Sequence, residues 1–134
     1  MIDHIALKVS DLKMSAEFYE KVLTPLGYKR FIPVPPGDFD GAVGFGFDHP
    51  DDDSGHLWMF DEGNLKNISM VHIAFKAKDE KMVQAFYEAA LTAGGKDNGA
   101  PGLRPEYGET YYGAFVLDPD GNNIEATCYV RGDQ

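Results

Sequence analysis

The sequence predicts an α+β fold built from two tandem βαβββ modules, and three observations predict it. First, shifting the chain by 68 residues lays His4-Ile5-Ala6-Leu7-Lys8 on His72-Ile73-Ala74-Phe75-Lys76. Over the 24 positions from His4 to Gly27 this shift gives 13 identities without a gap, where ordinary residue frequencies give about 1 or 2. One unit has been used twice. Second, each copy opens with a period of two and continues with a helical period. Third, glycine, proline and aspartate punctuate the rest of each copy into short segments of strand length.

The elements follow in order. Ile5, Leu7 and Val9 alternate with His4, Ala6 and Lys8, and Ile73 and Phe75 with His72, Ala74 and Lys76, so each copy starts with a half-buried strand. Asp11 and Asp79 come next and suit helix N-caps. Met14, Phe18 and Val22 recur every four residues, as do Tyr19 and Leu23, which gives the first helix one apolar face. Gly27 and Gly94-Gly95 stand where helices end. Three strands should follow each helix, over 28–33, 41–47 and 56–60 in the first module and over 95–98 (weak), 111–117 and 123–130 in the second. Pro33-Val34-Pro35-Pro36-Gly37 separates the first two of these, since proline cannot sit mid-sheet. Asp118-Pro119-Asp120-Gly121 makes the last tight turn. A long loop is expected from Gly99 to Thr110, and loops of that length are often functional. Module one then spans about 2–61 and module two about 69–130 of a single domain.

Composition narrows the function. With 134 residues, 43% hydrophobic and 25% charged, the chain can bury a core. No apolar run approaches the roughly 20 residues of a membrane span. The start, Met1-Ile2-Asp3-His4-Ile5, lacks the basic region of a signal peptide. Cys128 is the single cysteine, so no disulfide framework forms within the chain. It shares a strand face with Ile124 and Ala126 and reads as a buried thiol. These features place the protein in the cytoplasm. Twelve basic against twenty-two acidic residues leave a net charge of −10, which repels phosphate backbones and argues against nucleic acid. Asp51-Asp52-Asp53 reads as a solvated loop rather than a cation site.

The repeat also pairs candidate ligands. His4 and His72 occupy equivalent positions, each on the strand face opposite the large apolar side chains. Two symmetric histidines suit a transition-metal site. In the last strand Ile124, Ala126 and Cys128 share one face, and Glu125 points to the other beside Asn123 and Thr127. A buried acidic side chain there needs a partner. A cation would serve; an exposed face, or an ion pair with Lys8 or Lys76, are the alternatives.

Three segments carry a family resemblance: Asp3-His4-Ile5-Ala6-Leu7-Lys8-Val9 with Phe18-Tyr19 downstream, Val71-His72-Ile73-Ala74-Phe75, and Asp118-Pro119-Asp120-Gly121-Asn122-Asn123-Ile124-Glu125. Together they resemble the glyoxalase / bleomycin-resistance / extradiol-dioxygenase (vicinal oxygen chelate) superfamily over nearly the whole chain. The resemblance implies paired βαβββ modules forming a curved, half-open eight-stranded barrel. It implies a divalent metal ion (Zn, Ni, Fe, Mn or Co) held at the positions of His4, His72 and Glu125. Many members take a fourth ligand from the strand matching His56-Leu57-Trp58-Met59-Phe60, where either His56 or Trp58 falls at that place. His56 would complete a three-histidine, one-glutamate set; Trp58 would leave a facial triad with open positions.

The resemblance further implies a small-molecule substrate chelated through its oxygens, with a lyase or isomerase reaction and Glu125 as the catalytic base. The absence of a second metal-bound carboxylate in this chain weakens a lactoylglutathione lyase assignment. The alternatives are a metal-independent drug-binding protein of the bleomycin-resistance kind and a ring-cleaving dioxygenase. Trp58, Tyr107, Tyr111 and Tyr112 are candidates for an aromatic substrate pocket, and Arg104 for an anchor of an anionic group. A homodimer is expected, with modules paired within one chain or exchanged between two.

Overall fold

Both aspartates marked by the repeat cap helices. In the computed structural model, which describes residues 4–31, 42–47, 56–61 and 70–130, Asp11 accepts from the Met14 amide at 3.0 Å and Asp79 from the Met82 amide at 2.9 Å. Each carboxylate satisfies an amide that has no partner inside its helix. The helices are α1 (Leu12–Leu23) and α2 (Glu80–Thr92). α1 runs into a single 3-10 turn, Thr24–Leu26, closed by Gly27 at φ 90°. α2 ends at Ala93, and Gly94 follows at φ 95°, a backbone region that costs glycine little.

The chain divides into two compact units, Met1–Ser69 and Met70–Gln134. In the first, β1 (Ile5–Val9), β2 (Lys29–Phe31), β3 (Ala42–Gly46) and β4 (Leu57–Asp61) form a sheet in the order β1-β4-β3-β2. β1 runs parallel to β4 and the other pairs are antiparallel. Leu7, Val9, Phe45, Leu57 and Met59 are buried, as are Phe18, Tyr19, Val22 and Leu23 of α1, so one sheet face and the apolar stripe of the helix close a core. On the other face, the Trp58 ring lies over Gly44, where a Cβ would stand 2.9 Å from it.

The second unit repeats the topology. β5 (His72–Lys76), β6 (Lys96–Leu103), β7 (Tyr111–Leu117) and β8 (Asn123–Tyr129) lie in the order β5-β8-β7-β6, with β5 parallel to β8. Phe75, Val83, Phe86, Ala90, Ala114, Val116, Ile124, Ala126 and Cys128 are among its buried side chains. The chain is thus α+β, with two tandem βαβββ modules. Among the described residues no helix is long and apolar enough to cross a membrane.

One expectation is adjusted. β6 runs on to Leu103 and takes up the start of the stretch expected as a loop from Gly99. Its register shifts between Asp97 and Gly99 and again between Gly99 and Gly102. Such bulges accommodate Pro101, which a regular ladder would not. Only 104–110 is left as a connection, folded by bonds from the Tyr107 amide to the Arg104 carbonyl at 2.9 Å and from the Tyr111 amide to the Gly108 carbonyl at 3.1 Å. Of the expected strand 28–33, β2 is described over Lys29–Phe31, and 32–33 lie outside the described residues. Pro33–Gly37 and Asp51-Asp52-Asp53 lie outside the described residues.

The turn between β7 and β8 does more than reverse the chain. Asp118 Oδ1 accepts from the Asp120 and Asn122 amides at 2.9 and 2.8 Å, and Asn122 Nδ2 donates to Asp118 Oδ2 at 2.9 Å. Asn122 Oδ1 accepts from the Val71 amide at 3.0 Å, so this turn holds the residue that leads into β5. Asn122→Ala should therefore lower stability by about 2 kcal/mol, since it removes the partner of the half-buried Val71 amide and a donor to Asp118; urea unfolding measures it.

Burial, and then Glu80 and Asp79, push the Cys128 thiol above its ordinary value. The stability this contributes is complete below the unfolded-chain value and is lost as pH rises through the raised one. Alkylation of Cys128 should be slow in the native protein at pH 8 and become fast in denaturant; equal rates would contradict the buried placement.

Candidate functional site

The alternation of β8 decides what faces outward from α2. Ile124, Ala126 and Cys128 pack toward the helix, and Glu125 is turned to the opposite face. It is nonetheless only 2% exposed. A carboxylate so placed costs several kcal/mol unless its oxygens are paired, and each oxygen meets a polar side chain. The Tyr111 hydroxyl donates to Oε2. His72 Nε2 stands 3.1 Å from Oε1. Gly113 makes the room: a Cβ there would lie 3.0 Å from Oε2 and 3.3 Å from the Tyr111 ring.

The orientation of His72 has a chemical consequence. Its Nδ1 lies 2.9 Å from the Asn123 carbonyl oxygen. A carbonyl only accepts, so Nδ1 carries a proton. In the neutral imidazole, Nε2 then presents a lone pair to Glu125 Oε1, and two acceptors face each other. A proton on Nε2 or a cation between them resolves this. Donors held about 2.0–2.2 Å from a shared divalent ion stand roughly 3 Å apart along a coordination edge, so the pair fits a metal. The carbonyl bond at Nδ1 is the kind of outer contact that fixes a metal-binding imidazole. Among the described residues no group of three or more His, Cys, Asp or Glu side chains gathers at one point, so the second unit brings together this pair.

Around the pair lies an aromatic and cationic row. The His72 ring stacks on Phe115, with centroids 6.1 Å apart and planes 20° apart. The Arg104 guanidinium sits 5.5 Å from the Phe115 ring centroid and donates to the Ala100 and Leu103 carbonyls at 2.5 and 3.3 Å. Gly99 and Gly102 lie under it, where a Cβ would come within 3.3 and 3.0 Å of its nitrogens. Tyr107 and Tyr129 meet Tyr111 edge-on at 5.4 and 5.6 Å. Burial, and then the bond to Glu125, raise the Tyr111 phenol above its ordinary value, which keeps it a donor at neutral pH.

The structure separates residues that the sequence grouped. Tyr111 faces Glu125, while Tyr112 turns toward α2, where its hydroxyl accepts from Gln84 Nε2 at 3.0 Å. In the first unit, His4 and His56 immediately precede the parallel strands β1 and β4, joined by a 2.8 Å bond from the Ile5 amide to the His56 carbonyl. The His56 ring meets Phe47 edge-on at 5.8 Å. Trp58 stands level with Ala6, on the face opposite the buried Leu57 and Met59. Sequence reasoning passed over Gly113, Phe115 and Asn122. A glycine inside an otherwise bulky strand is a signal of close approach; the other two carry none.

The sequence model of the glyoxalase/bleomycin resistance protein/dioxygenase superfamily matches residues 1–126. No curated protein matches the chain. Among solved structures, a glyoxalase/bleomycin resistance protein from Albidiferax ferrireducens T118 is similar with a TM-score of 0.75 and 24% identity, covering 93% of this chain and 96% of that one. A glyoxalase/dioxygenase from Nostoc punctiforme gives 0.69 and 24%, covering 98% and 92%. A glyoxalase/bleomycin resistance protein/dioxygenase family enzyme from Burkholderia phytofirmans PsJN gives 0.67 and 15%, covering 96% and 98%. At these identities the likeness is one of fold.

The bond between Tyr111 and Glu125 is testable without any ligand. In a double-mutant cycle of Tyr111→Phe and Glu125→Leu, unfolded by urea in the presence of EDTA, the coupling energy should be about 1–3 kcal/mol. Additive losses would show that the bond contributes nothing to the fold.

Proposed function

The chain belongs to the glyoxalase/bleomycin resistance protein/dioxygenase superfamily, and from that premise we propose that it is a divalent-metal-dependent enzyme, a lyase or isomerase acting on a small substrate that chelates the metal through its oxygens. The observation that carries this reading is the pairing of His72 Nε2 with Glu125 Oε1 at 3.1 Å while Nδ1 is committed to a carbonyl. That arrangement supports a cation between the two donors.

His72 and Glu125 are the proposed ligands in the second unit. His4, the repeat mate of His72, is the proposed third, from the same chain or from a second copy in a homodimer. His56 is the proposed fourth ligand, with Trp58 at that place as the alternative. When bound, the ion would polarise substrate oxygens and stabilise developing oxyanion charge.

The chain's own groups do the rest. Asn123 holds the His72 ring by its Nδ1 proton, and Tyr111 holds Glu125 by Oε2. Glu125 is the proposed base, because Asp118, the other buried carboxylate among the described residues, is spent within its turn. Arg104 spends two donations on backbone carbonyls, and a guanidinium has five, so it can still anchor an anionic substituent. Trp58 and Tyr107 are the proposed aromatic contacts. Tyr112 faces the helix and Tyr111 is committed to Glu125, so neither hydroxyl serves the substrate in this reading.

A second reading rests on the net charge of −10, which favours a cationic ligand held without metal. Oxygen uptake with catechols after anaerobic Fe(II) reconstitution would instead support ring cleavage.

Metal analysis separates these readings. Protein purified without chelator should contain a stoichiometric divalent ion, or bind one after EDTA treatment. Replacing His72, Glu125 or His4 with alanine should weaken binding by about 100-fold or more, beyond the loss typical of outer contacts. Tight ligand binding indifferent to EDTA, with no metal bound, would favour sequestration and overturn the enzyme reading.

A further inference from the structure

We infer that Tyr111 is a positioning residue that makes Glu125 a one-oxygen ligand, so that one more coordination position stays available to a chelating substrate. The inference rests on the metal reading above. Its basis is the division of labour between the two carboxylate oxygens. Oε1 faces His72 Nε2 at 3.1 Å. Oε2 is claimed by the Tyr111 hydroxyl. A hydrogen bond from a hydroxyl to a carboxylate is strong, and it competes directly with any attempt of Oε2 to turn toward a cation.

Three further features hold that division in place. Gly113 lies beneath the contact, and a Cβ there would press on both Oε2 and the phenol ring, at 3.0 and 3.3 Å. Tyr107 and Tyr129 brace the Tyr111 ring edge-on from two sides, at 5.4 and 5.6 Å. Tyr111 pairs with Tyr129 and Phe115 with Glu125 in the β7–β8 register, so the phenol reaches along its own strand past Gly113 to meet the carboxylate. A shift of either strand would break the contact.

The chemistry follows from counting positions. A carboxylate with both oxygens free can bind a divalent ion through both and occupy two positions. Held at Oε2, Glu125 occupies one. A substrate that binds through two neighbouring oxygens needs two positions of its own, and the position saved is the one a bidentate glutamate would take. The simpler alternative is that Tyr111 only satisfies a buried charge. Its removal would then lower stability and leave the coordination of the metal unchanged.

The test loads the EDTA-stripped protein with Mn(II) and measures water-proton relaxivity, which scales with the number of exchangeable waters on the ion. Tyr111→Phe should show lower relaxivity than wild type, the loss of a coordinated water to the freed oxygen. It should also bind acetohydroxamate, a two-oxygen chelator, more weakly. Gly113→Ala, which displaces Oε2 while keeping both partners, should move both readouts the same way and serves if Tyr111→Phe does not fold. Mn(II)-loaded variants with the relaxivity and chelator affinity of wild type would overturn the inference and leave the metal reading standing, whatever they lose in urea. Wild type that binds no Mn(II) would overturn both.

Discussion

A carboxylate that is nearly sealed from water must have each oxygen answered by a donor or a cation, and in the second unit this demand shapes everything near Glu125. One oxygen takes a phenol and the other faces an imidazole. The strand beside it gives up a side chain at Gly113 so that the phenol can reach. The imidazole is oriented by a carbonyl of the same strand that carries the carboxylate. Apolar substitution at such a position often costs little stability. Retaining the charge where an apolar residue would fold as well is what makes this face the candidate site rather than a second core.

The placement of His72 depends on a contact far from it in sequence. Asn122 and Asp118 tie the last turn to Val71, and the Asn123 amide donates to the Val71 carbonyl at 3.1 Å. The donor pair therefore inherits its spacing from a rigid turn rather than from flexible side chains. A functional pair would need its donors held to sub-ångström tolerance by the scaffold.

Much of this was legible in the residues, for reasons that can be named. The repeat exposed both helices because the capping aspartates, the apolar spacing and the terminal glycines all recur at the same offset. Strand alternation placed Glu125 on the face opposite Ile124 and Ala126, and the structure agrees. It could not tell Tyr111 from Tyr112 as a partner for Glu125, although a period of two already put them on opposite faces, because strand register across β7 and β8 is not written locally. β6 outruns the expected strand because Pro101, Gly99 and Gly102 argue against one in isolation, and bulges that absorb them depend on the neighbouring strand. Gly113 signals a close approach and Asn122 sits within a motif, but neither names its partner, for a similar reason. Their roles lie in the space they leave or the distant amide they meet.

The parallel pairing of β5 with β8 carries a kinetic consequence. His72 and Asn123 are joined across 51 residues, whereas β6, β7 and β8 follow one another as an antiparallel meander. Helix α2 and that meander are built from short-range contacts, but β5 can dock only after the final strand exists to receive it. Pairings that close long segments are slow to form because their entropy is lost before they are rewarded. In this unit the slow topological step and the meeting of His72 with Glu125 are one event, so a nascent chain stopped short of β8 has its helix and not this pair.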